Sequence, residues 1–259
     1  MQANLMLKRT LLAAGMAGCA LASPAQQVTP AVAPEATAAL ERMGAHLRTL
    51  KAFEVRAATT RDELLDSGQK VQFGGSVDLK VRRPNRLRAD ISSERKQRQL
   101  FYDGKTVTLY GPRVNYYAVV QAPATLGELA EMLGTKYGIE TPLADLFLWG
   151  TDKARPGDIK GATYLGPEKV DGTPCDQYAF RQDGVDWQVW IQKGKAPLPR
   201  KLVITSTSEP SQLQYTSVLR WRSVSQLDNN RAFSFAPPPG ARRIVMQTSD
   251  GKVEPVAKK

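Results

Sequence analysis

His46 is the single imidazole in a chain of 259 residues, so a Ser-His-Asp relay would have to run through it. It lies between Ala45 and Leu47 on what reads as an N-terminal amphipathic helix, where a surface or packing histidine is the plainer assignment. The other nucleophile and phosphate signatures are missing from the sequence: there is no G-x-S-x-G, no H-E-x-x-H, no phosphate loop and no C-x-x-C. Asp62, Glu63 and Asp66 are close enough in sequence to serve as an acid/base pair, yet they fall where a hairpin loop is expected and solvation explains them. His, Cys and carboxylates do not cluster at metal-ligand spacings. No catalytic residue, metal or cofactor is assigned, and the chain reads as a non-enzyme.

The two cysteines belong to different stories. Cys19 lies in an N-terminal stretch that carries Lys8 and Arg9, then an apolar run from Thr10 to Leu21, then small residues. That is the layout of a secretory signal, and a run of about 12 residues is too short for a hydrocarbon core that needs about 20. Residues 1–25 are therefore expected to be a signal peptide, cut near Ser23 or Gln26, with a periplasmic product. The alternative is Met16-Ala17-Gly18-Cys19, similar to a lipobox, which would leave a membrane-tethered lipoprotein on Cys19. Either way Cys175 has no intrachain partner; it reads as a small half-buried side chain beside a turn, with a reactive thiol unsupported.

Lys and Arg total 36 against 25 Asp and Glu, a formal net charge of +11. The excess is dense between Lys80 and Lys105, where Arg82, Arg83, Arg86, Arg88, Arg95, Lys96 and Arg98 outnumber Asp90, Glu94 and Asp103. No recognition motif or aromatic RNA-binding signature accompanies it, so nucleic acid is excluded as a partner. Solvated strand faces account for most of these cations, and an anionic membrane surface or an envelope protein is the partner the remainder would meet. A monomer is expected.

Residues 26–34, with Pro30 and Pro34, read as a flexible leader. Ala39, Leu40, Met43, Leu47 and Leu50 then describe a helix ending near Lys51. The period switches to two through Phe53-Val55-Ala57, Val77-Leu79-Val81 and Leu87-Ala89-Ile91, with Asp103-Gly104 and Asp183-Gly184 as hairpin turns. Gly74-Gly75 suggests a bulge. In the centre, Leu126, Leu129, Ala130 and Leu133 recur at helical spacing before Gly134, and Leu143 to Trp149 forms a second short apolar segment. Alternation resumes from Ala162 to Phe235. About 10–11 strands with no parallel crossover pattern predict one large, twisted antiparallel sheet, residues 35–245, followed by a flexible basic tail at 246–259.

Such a sheet has an apolar face that cannot be left in water, since several hundred Å² of hydrocarbon at about 25 cal/mol per Å² amounts to many kcal/mol. Three short helices cover it. Incomplete cover would leave a dry cleft, and complete interdigitation an ordinary core. The candidate ligand-binding walls are Phe53, Val55, Val77, Leu79, Leu87, Ile91, Val107 and Leu109 on the strands, and Leu126, Leu129, Met132, Leu133, Leu146, Phe147 and Trp149 on the helices.

The strings Val81-Arg82-Arg83-Pro84-Asn85-Arg86-Leu87-Arg88, Tyr102-Asp103-Gly104-Lys105, Asp186-Trp187-Gln188-Val189-Trp190-Ile191, Pro197-Leu198-Pro199-Arg200-Lys201 and Phe233-Ser234-Phe235 with Pro238 to Ala241 resemble a family of predicted periplasmic proteins of unknown function. That family is similar to the LolA/LolB lipoprotein carriers and RseB-type sensors. The resemblance implies a mainly β fold with some α: an open antiparallel half-barrel, LolA-like, with helices over its concave face and a pocket that in the carriers receives acyl chains. The function it implies is a non-enzymatic periplasmic binding protein with a hydrophobic cleft for lipid, acyl chain or lipoprotein; the alternative is an RseB-like regulatory or envelope-scaffold protein acting through protein contacts. No single position aligns with the lid-locking arginine of the LolA carriers, and Arg56 is the one position offered for it.

Overall fold

The computed structural model describes residues 31–141, 143–151, 156–222 and 230–253. Helix α1 (Pro34–Thr49) leads into a meander of six strands, β1 (Ala52–Leu64), β2 (Lys70–Arg82), β3 (Arg86–Ser92), β4 (Gln97–Tyr102), β5 (Thr106–Gly111) and β6 (Tyr116–Gln121). Two helices follow, α2 (Leu126–Tyr137) and α3 (Asp145–Leu148), and then a second meander, β7 (Gly161–Val170), β8 (Thr173–Gln182), β9 (Val185–Gln192), β10 (Pro199–Ser206) and β11 (Gln214–Arg222). The two meanders join where β11 pairs antiparallel with β1, so the sheet runs β6-β5-β4-β3-β2-β1-β11-β10-β9-β8-β7. Its two ends are different strands that do not meet, which leaves it open.

Alternation decides which face is covered. Phe53, Val55 and Ala57 on β1, Val77, Leu79 and Val81 on β2, Leu87 and Ala89 on β3, and Leu100 and Tyr102 on β4 are all buried in one core. The intervening positions carry the cations, and most of these have partners: Arg56 grips Asp78 at 2.6 and 3.0 Å, Lys80 meets Glu54 at 3.2 Å, and Arg88 holds Asp90 at 2.8 and 3.2 Å. The basic run between Lys80 and Lys105 is in large part such a polar strand face. Arg56 is thus engaged on the outer side of the sheet, away from the helices.

Helix α1 lays Ala36, Ala39, Met43 and Leu47 on the core, a stripe at three- and four-residue spacing. Helix α2 opens with a capping box in which Glu128 N–H donates to Thr125 Oγ1 and the Glu128 carboxylate accepts from Thr125 N–H. It runs through Gly134, where the sequence predicts its end, and stops at Gly138, whose φ of 62° places it in the left-handed region and lets Ile139 N–H reach back to the Leu133 carbonyl. A lone glycine costs a helix about 1 kcal/mol, which the buried stripe of Leu126, Leu129, Leu133 and Tyr137 outweighs.

Three further expectations are corrected. Gly74 and Gly75 make no bulge: they face Thr60 and Thr59 in an unbroken ladder, and the register shifts fall instead at Tyr164/Gly166 and Pro199/Lys201. Asp62 and Glu63 lie on the end of β1 and are occupied structurally, Asp62 accepting from Gln72 and from Gln214 N–H, Glu63 from Arg61. A twelfth strand, β12 (Arg242–Arg243), pairs parallel with β6, because the segment after Phe233 crosses the outer face and returns along the sheet edge. Phe235 fixes that crossing among Phe101, Tyr110 and Tyr117, with ring centroids 5.1 to 5.3 Å away.

The ends of the described chain are tied down. Ala33 N–H donates to the Ala162 carbonyl at 2.9 Å, which pins the last leader residues along β7. Ser249 N–H donates to the Lys136 carbonyl at 2.9 Å, docking residues 246–253, expected to be loose, on the C-terminal end of α2. The signal-peptide assignment at 1–25, and with it Cys19, lies outside the described residues. Cys175 is fully buried, and burial pushes its thiol up from the ordinary value.

Two tyrosines make this fold sensitive to alkali. Tyr102 is buried with its hydroxyl donating to the Pro123 carbonyl at 2.5 Å, and burial pushes it up to about 12. Tyr215 is pushed up to about 12 as well, by burial first and then by the charges of Asp145 and Glu140. A phenol whose folded value lies above its unfolded value, about 10, stabilises the fold fully below that pH, and the contribution is lost as pH climbs through 10 toward 12. Denaturant midpoints should therefore hold steady up to about pH 9 and fall from about pH 10 upward, with a shallower fall in Tyr102→Phe. A flat profile across that window in the parent protein would contradict the assignment.

Candidate functional site

Cover over the two halves of the sheet is unequal. Across β1 to β6, α2 is twelve residues long and fills the face with four large side chains. Across β8 to β10, the cover is α1 and the four-residue α3, and between them and the strands lies a cavity of about 610 Å³.

Trp149, Trp187 and Leu202 form its buried depth, only 7%, 9% and 3% exposed. Val185 and Ile204 extend the strand wall, and Leu40, Leu148 and Ile159 the opposite one. Exposed Glu41, Ala45, Arg48, Gly150 and Pro156 form the rim. Trp187 is held by stacking on Phe180, with centroids 4.2 Å apart and planes at 17°, and by its Nε1–H donating to Gln182 Oε1 at 2.9 Å. Trp149 stands 6.4 Å from it across the depth. Both indoles are held by the packing around them and present flat apolar area to the space.

Helix α3 owes its position to three contacts from outside itself. The Arg48 guanidinium, on α1, donates to the Gly150 carbonyl. Arg83, from the β2–β3 turn, donates to the Leu146 carbonyl at 3.4 Å. Both cations thus take main-chain carbonyls, one within α3 and one just after it. Burial lowers the Arg83 value from its ordinary one and the neighbouring Arg48 charge lowers it further. Gly44 provides the third contact: its missing side chain leaves room for the Trp149–Gly150 backbone to cross α1.

Asp145, the first residue of α3, also lines the cavity. Burial raises its carboxyl above the ordinary value, and its own backbone N–H opposes this only in part. Among the described residues no group of three or more His, Cys, Asp or Glu is placed to hold a metal ion, and no helix is long and apolar enough to cross a membrane.

The fifteen residues named from the sequence are distributed unevenly around this space. Phe53, Val55, Val77, Leu79, Leu87, Val107, Leu126, Leu129, Leu133, Leu146 and Phe147 are buried in the continuous core, with Ile91, Leu109 and Met132 packed against it. Trp149 alone among them lines the cavity. The lining on β9 and β10, Val185, Trp187, Leu202 and Ile204, lies in the second meander. Its period-two pattern is as plain as that of the first, so alternation could have singled these residues out as inward-facing. Arg48 carried no signal of its own.

A family model described as predicted periplasmic protein, DUF2092, matches residues 36–247. Comparison with curated proteins returns no match. Among solved structures, the chain is similar to lipoprotein LppX of Mycobacterium tuberculosis (14% identity, TM-score 0.46, 75% of this chain and 99% of that one). It is also similar to a LolA superfamily protein of Nitrosomonas europaea (9% identity, TM-score 0.37, 77% and 97%) and to the MucA/MucB complex of Pseudomonas aeruginosa (15% identity, TM-score 0.41, 83% and 72%).

Proposed function

The chain belongs to the DUF2092 family of predicted periplasmic proteins, and we propose that it acts there as a non-enzymatic binding protein, sheltering the apolar chain of a lipid or lipoprotein between α1, α3 and strands β9 and β10. The observation that carries this reading is the cavity of about 610 Å³ floored by Trp149, Trp187 and Leu202. Ligand sites of about 300–1,000 Å³ are mostly apolar with a few placed polar groups, and this one has that character. An apolar chain entering it would replace water against two indoles and six aliphatic side chains, Leu40, Leu148, Ile159, Val185, Leu202 and Ile204, a gain that scales with area and asks for no chemistry. The core beneath α2 supports the site by keeping the sheet filled and does not itself receive ligand. Export through residues 1–25, or tethering on Cys19, would put the cavity where envelope lipids are.

Native mass spectrometry of the protein purified gently from an exporting bacterium tests this directly. The expected spectrum contains a bound species of lipid mass that is lost after delipidation and restored by added fatty acid or lipopeptide. A protein that is empty as isolated and stays empty with both additions would refute carriage. Periplasmic crosslinking to a protein partner that persists with the cavity filled would favour a regulatory or scaffold role instead.

A further inference from the structure

Among the described residues the charged groups of the cavity do not balance. Three charged side chains of those residues line it, Glu41 and Arg48 on α1 and Asp145 at the start of α3, two acids against one cation. The Arg48 guanidinium is anchored by donating to the Gly150 carbonyl, a neutral acceptor, and keeps its charge. The nearby Arg83 is likewise turned onto the Leu146 carbonyl. Neither acid has a hydrogen-bonding or ion-pairing partner for its side chain in another residue among those described. Asp145 is half-buried in a wall that also holds Leu148 and Trp149, with Tyr215 within reach of its charge, a poor setting for a carboxylate.

We propose that the cavity is built for an amphiphile with a cationic amine head, the ammonium meeting the carboxylates of Asp145 and Glu41 and the hydrocarbon chain lying against Trp149, Trp187, Leu202 and Ile204. This rests on the reading of the cavity as a site for an apolar chain and adds the chemistry of the head group. An acid lining an apolar space is costly to the fold unless a counter-charge arrives, and here the arriving charge belongs to the ligand. Burial holds the Asp145 carboxyl above its ordinary value, and a bound ammonium would favour its charged form. An alkyl carboxylate would meet two acids against the single Arg48, whose guanidinium is anchored on the Gly150 carbonyl. A neutral alcohol would gain the apolar contacts alone.

Three probes with the same tail separate these terms: dodecylamine, dodecanol and dodecanoate, each titrated below its micelle concentration and followed by intrinsic tryptophan fluorescence, Trp149 and Trp187 being inside the site. The amine should bind about tenfold or more tighter than the carboxylate, with the alcohol between them. In Asp145→Asn the advantage of the amine over the alcohol should shrink to within about twofold. The same variant should melt no lower than the parent at neutral pH, because the amide removes a poorly solvated charge; this shows that any loss of selectivity is not loss of fold. Glu41→Gln, at the exposed rim, should reduce the advantage by less. Equal binding of all three probes, or preference for dodecanoate, would overturn the head-group assignment while leaving carriage of apolar chains intact. Binding of none would overturn both.

Discussion

Gly44→Ala should lower the stability of the protein by about 2 kcal/mol and cut its affinity for apolar ligands severalfold, although alanine is the better helix former by about 0.5–1 kcal/mol. A Cβ at Gly44 would stand 2.8 Å from the Gly150 nitrogen, 2.9 Å from the Gly150 Cα and 3.2 Å from the Trp149 carbonyl carbon. These are backbone atoms and cannot rotate aside, so α1 and α3 would have to separate. Separation would strain the Arg48 bond to Gly150 and displace Trp149 from the floor of the cavity. Thermal melting should show a drop of several degrees, as about 1 kcal/mol shifts the midpoint by about 2–4 °C in a domain this large. Gly150→Ala should be comparably harmful for a different reason: a φ of 78° is strained for alanine, and the new methyl would collide with the Arg48 guanidinium. If Gly44→Ala melts at or above the parent temperature with unchanged ligand binding, the α1–α3 crossing is not what shapes the site.

The sheet was readable because its rules are local. Alternation at Phe53-Val55-Ala57 or Leu87-Ala89 assigns a face by a period of two, and Asp103-Gly104 announces a hairpin through chemistry the structure repeats, with Asp103 accepting from Lys105 N–H at 2.9 Å and Thr106 N–H at 2.8 Å. The position of the cavity obeys no such rule. All the inward residues of both meanders look alike in sequence, and which of them end up facing a void depends on how far each helix extends over them. Helix α2 outran its glycine at 134 by one turn and closed the first half; the apolar stretch after Leu143 made only four helical residues and left the second half open. Arg48 illustrates the same gap from the other side. Its role depends on Gly150, 102 residues away, and nothing in the neighbourhood of Arg48 encodes that distance. The edge strand β12 was missed because two residues have no period to read.

Two substitutions divide the core from the cavity most sharply. Leu129 is fully buried on the inner face of α2, and Leu129→Ala should cost about 2–5 kcal/mol through lost contacts and an unfilled hole. As long as the variant remains folded, its affinity for an alkyl chain should stay within about twofold of the parent, because Leu129 lines no part of the space between α1, α3 and β10. Ile204→Trp is expected to do the reverse. Ile204 is half-buried on the cavity wall, beside Trp187 on β9 and Tyr215 on β11, so the added ring has free volume to enter and stability should change by no more than about 1 kcal/mol, in either direction. The same ring occupies the path of the chain, and affinity should fall more than about tenfold. Chemical denaturation paired with fluorescence titration reads both quantities on each variant. The opposite pattern, binding lost in folded Leu129→Ala and kept in Ile204→Trp, would move the ligand to the face beneath α2, among Leu126, Leu133 and the strands of the first meander, and would leave the space beside Trp187 as a packing fault with no occupant.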